Sequence, residues 1–221
     1  MSQKQTSSFF IVLGRANTKL FMILYGASGH AKVIISCLRA NEVPIVGIFD
    51  DDPSKKELGL IPVLGSYRPD YEPQEQLIIS IGANHIRQKV AAFIQHKFGK
   101  VIHPSALLDE SVKVGEGSVV LHRAVIQADV QVGRHAIVNT AASVDHECNI
   151  EDFVHIAPGA ILCGNVRVGE GTLVGAGTII TPNLKIGKNC LIAAGSVITK
   201  NIPDFAIVRG NPARVIKLTS S

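Results

Sequence analysis

The chain has 221 residues, is 46% hydrophobic with no Trp and 5% aromatic residues, and carries a formal net charge of +4 at pH 7. That length accommodates two modest domains, and so mild a charge, without a long basic run or a set of stacking aromatics, argues against nucleic-acid binding. Cys37, Cys148, Cys163 and Cys190 form no C-x-x-C pair and, with the histidines, no metal-ligand spacing, so no metal site is expected and a reduced, cytoplasmic setting fits best.

Residues 9–13 are apolar but far too short to span a membrane, and no signal-peptide core or cleavage site is clear. Met22 stands directly before the first expected strand, so residues 1–21 read as an extension, either poorly ordered or a misplaced start. A buried strand is expected over 22–25, running into Gly26-Ala27-Ser28-Gly29-His30 and a helix over 31–40. A second strand over 45–49 ends at Asp50-Asp51-Asp52, and a third over 77–81 leads through Gly82-Ala83-Asn84 into a helix reaching 97. Strands alternating with helices imply a parallel sheet, so residues 22–100 read as a Rossmann-like α/β domain. Glycines in its first turn let phosphates approach the backbone, and the helix N-terminus favours negative charge. The turn is G-x-x-G followed by His30, not G-x-G-x-x-G, which speaks against ordinary NAD binding and for a mononucleotide head. Asp50 and Asp51 lie where a ribose or base would be read.

From Ile102 through Val120, Val138, Ile156 and Val174 to Ile198, every sixth residue is aliphatic without a break, and four residues after each the side chain is small or apolar. Neither a helix nor a flat sheet produces that period, and a sandwich of short strands would not hold one phase for so long. A parallel β-helix with three short faces per coil does, with both positions pointing inward and residues eighteen apart stacked. Residues 101–221 therefore read as a β-helix with a C-terminal tail. Gly115, Gly133, Gly169 and Gly187 form a column interrupted by Glu151, expected to mark a corner of unusual torsions. Cys148 and Cys190 fall on the inward small position and read as buried hydrophobes. The tail cations Lys200, Arg209, Arg214 and Lys217 read either as a solvated surface or as a seat for phosphates.

Val144-Asp145-His146-Glu147-Cys148 holds the clearest chemistry. His146 is outward, with small residues one coil away on both sides, Ala128 and Gly164, leaving space beside the imidazole. A histidine with an adjacent carboxylate, Asp145 or Glu147, is what a general base needs, because the acid fixes the tautomer and stabilises the imidazolium. His155, half a coil on, also points outward, to a ligand or a subunit seam. His85, His96, His122 and His135 show no partner pattern and read as surface residues, while His103, beside Pro104, reads as structural.

These motifs, together with Tyr25-Gly26, Asn139-Thr140, Cys163-Gly164-Asn165-Val166 and Gly210-Asn211-Pro212-Ala213-Arg214, resemble the hexapeptide-repeat nucleotide-sugar acetyltransferases: the bacillosamine and perosamine N-acetyltransferases and the sialic-acid O-acetyltransferases. The resemblance covers about residues 22–217. It implies a left-handed β-helix, a homotrimer with sites between subunits, and acetyl-CoA as co-substrate. By position it implies His146 as general base and Glu147 as its orienting acid, with Asn139 near the reacting sugar. Gly26, Ser28, Gly29, His30, Asp50, Asp51 and Asn84 would bind the nucleotide-sugar. His155, Gly164, Ala176, Ala194, Lys200 and Arg214 would bind acetyl-CoA. The expected reaction is direct N-acetylation of a UDP- or GDP-linked 4-amino sugar. Sugar O-acetylation and a catalytically dead nucleotide-sugar scaffold are the rival readings.

Overall fold

The computed structural model describes residues 21–219; the expected extension, apart from Phe21, lies outside the described residues. The chain opens with β1 (Met22–Tyr25), α1 (Gly29–Ala40) and β2 (Ile45–Phe49), continues through a small hairpin of β3 (Glu57–Leu58) and β4 (Ile61–Pro62), and then forms β5 (Gln76–Ile79) and α2 (Asn84–Ala91). β1 lies between β2 and β5, parallel to both. All four residues of β1 are buried, as a central strand covered on both sides requires.

The C-terminal ends of two elements move. The third strand stops at Ile79: Ser80 makes the last bond to β1, its N–H donating to Tyr25 O at 2.7 Å, and its hydroxyl donates to the carbonyls of Tyr25 (2.9 Å) and Gly26 (2.6 Å). α2 stops at Ala91, not near residue 97, because the chain must return to lie beside β5, where Leu77 N–H donates to Lys97 O at 2.9 Å.

From Val101–Ile102 to Val197–Ile198 the chain forms seventeen two-residue strands, β6 to β22, joined by four-residue corners. Each pairs in parallel with strands one coil away, so that Ile137 is opposite His155 and Val144 opposite Leu162. Three faces result. The first carries Val101, Val119, Ile137, His155, Leu173 and Leu191 outward; the second Leu107, Val125, Ser143, Ile161, Ile179 and Val197; the third Lys113, Gln131, Asn149, Arg167 and Lys185. Inward, Val120, Val138, Ile156, Val174 and Ile198 are fully buried, each side chain contributing roughly 1.5–3 kcal/mol of burial. Buried hydroxyls in the small column are satisfied: Thr172 Oγ1 donates to Gly187 O at 2.7 Å and accepts Cys190 N–H at 2.9 Å. β23 (Ala206–Gly210) and β24 (Ala213–Leu218) form a hairpin that extends the first face.

The glycine column has a different cause from the one expected. A Cβ on Gly115 would meet the Gly133 carbonyl carbon at 2.6 Å, so the column exists because successive coils approach too closely for a side chain. The left-handed residues come two positions later, at Gly117, His135, Phe153, Gly171 and Asn189, and the same turn position recurs at Glu147 and Asn165.

The N-terminal unit is docked on the first face. Val101, Val119, Leu121 and Ile137 share one apolar cluster with Met22, Leu24, Ile34 and Leu38. Two histidines expected at the surface are in fact buried. His96 is 5% exposed, held by Tyr67 Oη at 2.8 Å, and His135 is 5% exposed, stacked on Phe153 with centroids 4.8 Å apart. His122 is half-buried and stacks on His103 at 3.7 Å, which places both at the junction of the two units.

Candidate active site

The corner between the second and third faces carries His146. Its Nδ1 lies 3.0 Å from Glu147 Oε2, while Asp145 Oδ1 accepts the His146 backbone N–H at 2.8 Å. Of the two candidate acids, Glu147 is therefore the one at the ring. The carboxylate holds the proton on Nδ1 and leaves Nε2 as the acceptor. Gly164, one coil on, leaves less room than expected: a Cβ there would stand 2.6 Å from both His146 Cε1 and Nε2. The glycine is the surface on which the imidazole rests.

The residues expected at the nucleotide-sugar gather elsewhere, where the N-terminal unit meets the first face. Gly26 has φ of +108°, and a Cβ there would meet Ile81 Cγ1 at 2.7 Å. Ser28 and Gly29 are exposed, and nothing approaches within 4 Å of the Cβ position of Gly29. Asp50 Oδ2 accepts Ala27 N–H at 2.7 Å and Lys55 Nζ at 2.8 Å; burial opposes its ionisation, but the Lys55 ammonium and backbone donors hold its carboxyl below the usual range. Asp51 accepts the Tyr25 hydroxyl at 2.5 Å, and burial together with that carboxylate keeps the phenol protonated.

His30 faces His155 with ring centroids 6.4 Å apart. Asn139 Oδ1 is pinned by Thr140 N–H at 2.8 Å, so its Nδ2 is the atom turned to His155 Nε2 at 3.0 Å. His155 Nε2 must then accept, which places its own proton on Nδ1. Burial first, and then the nearby Arg87 charge, lower both His30 and His155 to about 4, so both are neutral above that pH. His30 Nε2 is buried without a partner among the described residues.

The remaining expected residues divide as follows. Asn84 lies in the seam between the two units, donating to Gly171 O at 2.9 Å and accepting from Arg87. Ala176 and Ala194 are exposed one above the other on the corner between the first and second faces, the corner that also carries Asn139. Lys200 and Arg214 are exposed, and Arg214 Nη1 donates to Ala213 O at 2.9 Å. Cys148 is 1% exposed, and burial pushes its thiol up to about 11.

Sequence reasoning missed Arg87, the largest fully buried side chain, which no periodicity distinguishes from an exposed helix cation. A cleft of about 420 Å³ opens beside it, lined by Gly82, Asn84, Gln88, Leu173 and Leu191 among others. Among the described residues no cluster of three or more His, Cys, Asp or Glu could hold a metal ion, and no helix is long and apolar enough to cross a membrane.

Comparison with known proteins agrees with this architecture. The PglD N-terminal domain family matches residues 22–94, and the bacterial transferase hexapeptide family (six repeats) matches 147–182 and 167–200. A UDP-N-acetylbacillosamine N-acetyltransferase of Bacillus subtilis (strain 168) is 35% identical over 107 residues, 44% of this chain and 50% of the relative. The chain spans half or less of the length of the curated relatives it matches. Among solved structures, a histidine-to-asparagine variant of perosamine N-acetyltransferase from Caulobacter crescentus, in complex with CoA and GDP-perosamine, superposes with a TM-score of 0.85 at 35% identity, covering 89% of this chain and 96% of that one. The acetyltransferase domain of PglB from Neisseria gonorrhoeae FA1090 gives a TM-score of 0.81 at 36% identity, covering 89% and 99%. With a PglD-type N-terminal domain docked on a left-handed parallel β-helix, the chain belongs to the hexapeptide-repeat nucleotide-sugar N-acetyltransferase family.

Proposed function

We propose that the protein transfers the acetyl group of acetyl-CoA to the amine of a nucleotide-linked 4-amino sugar, directly and in a ternary complex, as a cytoplasmic homotrimer. The observation that carries this reading is the His146–Glu147 pair seated on Gly164, within a fold shared along nearly its whole length with the perosamine enzyme. Acetyl-CoA supplies the activated thioester. His146 Nε2 takes the proton as the amine attacks, and Glu147 stabilises the imidazolium that forms. The Gly164 N–H, which takes no part in the coil-to-coil ladder, is placed to donate to the developing oxyanion. Holding both substrates together makes an oriented reaction of a bimolecular one. A covalent acetyl-cysteine at Cys148 is disfavoured by that thiol's burial and raised pKa.

The positions of the two groups of residues support the trimer. In one chain His146 and Asn139 occupy corners on opposite sides of the second face. That face presents an apolar ladder in which Leu107 is 67%, Ile161 43% and Ile179 38% exposed, whereas the third face is polar. Packing three second faces around a threefold axis covers the ladder. It also brings the His146 corner of one protomer beside the Asn139, Ala176 and Ala194 corner of the next, so each site is completed across a subunit boundary. Ile161→Glu is expected to break the trimer into monomers in sedimentation analysis and to abolish transfer with it; a trimeric, active variant refutes this assembly.

The substrate is tested by thiol release from acetyl-CoA against UDP- and GDP-4-amino sugars, CMP-sialic acid and free sialic acid. Turnover of one amino sugar is expected, rising with pH as free amine increases. Activity on sialic acid alone would move the reading to O-acetylation, and nucleotide-sugar binding without thiol release would make the protein a scaffold.

A further inference from the structure

Arg87 is 1% exposed, yet among the described residues no carboxylate pairs with it. A guanidinium has five N–H donors, and each finds one acceptor here. Nε donates to His135 O (2.8 Å); Nη1 to Ile81 O and Gly82 O (both 3.1 Å); Nη2 to Phe153 O and Asn84 Oδ1 (both 2.9 Å). His135 and Phe153 are corner residues of successive coils, and Asn84 reaches Gly171 on the next, so α2 reads three stacked carbonyls of the β-helix.

A buried cation held only by neutral dipoles is an expensive way to fasten two units. Apolar packing of the same volume would serve as well or better, and an acid would remove the charge. What this arrangement keeps is the charge itself, and its surroundings give that charge a use. The loop that Arg87 grips runs along the nucleotide side of the seam: a Cβ on Gly82 would lie 3.9 Å from His30 Cγ, and the Gly82 backbone bonds His155.

We propose, building on the nucleotide-sugar reading above, that Arg87 is a positioning residue for that substrate. From inside the seam it fixes the Gly82 loop against His30 and His155 and supplies an unneutralised positive charge behind the pocket that favours the substrate's diphosphate. It touches no ligand, because all its donors are taken. The titratable or charged groups acting on the His30–His155 pair are each other and Arg87; burial and this charge together keep both rings neutral.

The test uses the full chain and its Arg87→Met and Arg87→Lys variants, with GDP and UDP as probes. Calorimetry measures nucleotide binding, and histidine ring NMR follows the titration of His30 and His155. Arg87→Met is expected to weaken nucleotide binding on the order of tenfold, the scale of one charge acting through a partly buried medium. It should also raise the titration midpoints of both rings while leaving them below the ordinary value, since burial remains. Arg87→Lys, which keeps the charge without the fork, should restore the ring titrations and part of the affinity. In turnover assays KM for the amino-sugar nucleotide should rise more than KM for acetyl-CoA. Should Arg87→Met fail to fold, Asn84→Asp neutralises the charge from 2.9 Å with the guanidinium in place, and the same weakening is expected. A variant that loses only thermal stability, with nucleotide affinity and ring titrations as in the wild type, overturns the proposal and leaves Arg87 a brace. If the wild type binds neither nucleotide, the nucleotide-sugar reading falls and the proposal falls with it.

Discussion

Replacing His146 by Ala is expected to lower kcat by about 10²–10⁴-fold, the usual contribution of a positioned general base, the role proposed for it. KM for both substrates should change little, because the imidazole acts on a proton that moves only in the transition state. The ring is 56% exposed and bears on no core residue, so the melting temperature should not move. Glu147→Gln keeps the side chain's length but removes the charge that fixes Nδ1–H; a loss of about 10–100-fold is expected, as for other partners that orient a functional histidine. The 63% exposure of Glu147 places the effect below that of the base itself. Thiol release from acetyl-CoA at saturating acceptor reads both variants. Full turnover by His146→Ala would remove the general base from the mechanism, and accumulation of acetylated Cys148 would replace direct transfer with a covalent route.

The β-helix was legible because one packing constraint repeats in every hexad. An aliphatic side chain and a small one must both enter a narrow prism, so the period of six is written in residue size. Strand β1 was legible for a related reason: a buried central strand reads as a continuous apolar run. Element ends were less so, because they are decided by single contacts such as that of Ser80 with Gly26 O. The histidines divide on the same principle. His146 was readable because its partner is its sequence neighbour, whereas His96 and His135 owe their burial to Tyr67 and Phe153, residues 29 and 18 positions away. Arg87 was invisible for the strongest form of that reason: four of its five acceptors are backbone carbonyls, which any residue type can offer. The turn position at which Asn165, Gly171, Asn183 and Gly195 adopt positive φ could have been found, since Gly, Asn and Asp recur there in phase with the hexads.

Gly164→Ala tests whether the seat of the imidazole matters apart from its chemistry. The added methyl would lie 2.6 Å from His146 Cε1 and Nε2, a distance that ring and carbon cannot share. Something must yield, and the exposed ring at the end of a rotatable side chain yields at least cost. Gly164 has no positive φ, so its backbone tolerates alanine, and the coil should keep its stability to within a few tenths of a kcal/mol. Catalysis should not be spared, because Nε2 is displaced by more than an ångström from where the acceptor's proton arrives; about 10²-fold in kcat is the scale of such a misplacement. Gly115→Ala is the opposite case. There the methyl meets the Gly133 backbone at 2.6 Å, which cannot swing aside, so the melting temperature should fall while kcat per folded molecule is retained. The contrast separates a glycine kept for the base from one kept for the coil. Equal kinetics for Gly164→Ala and the wild type would mean that the imidazole works from some other rotamer, and that the geometry of His146 over Gly164 is not the reacting one.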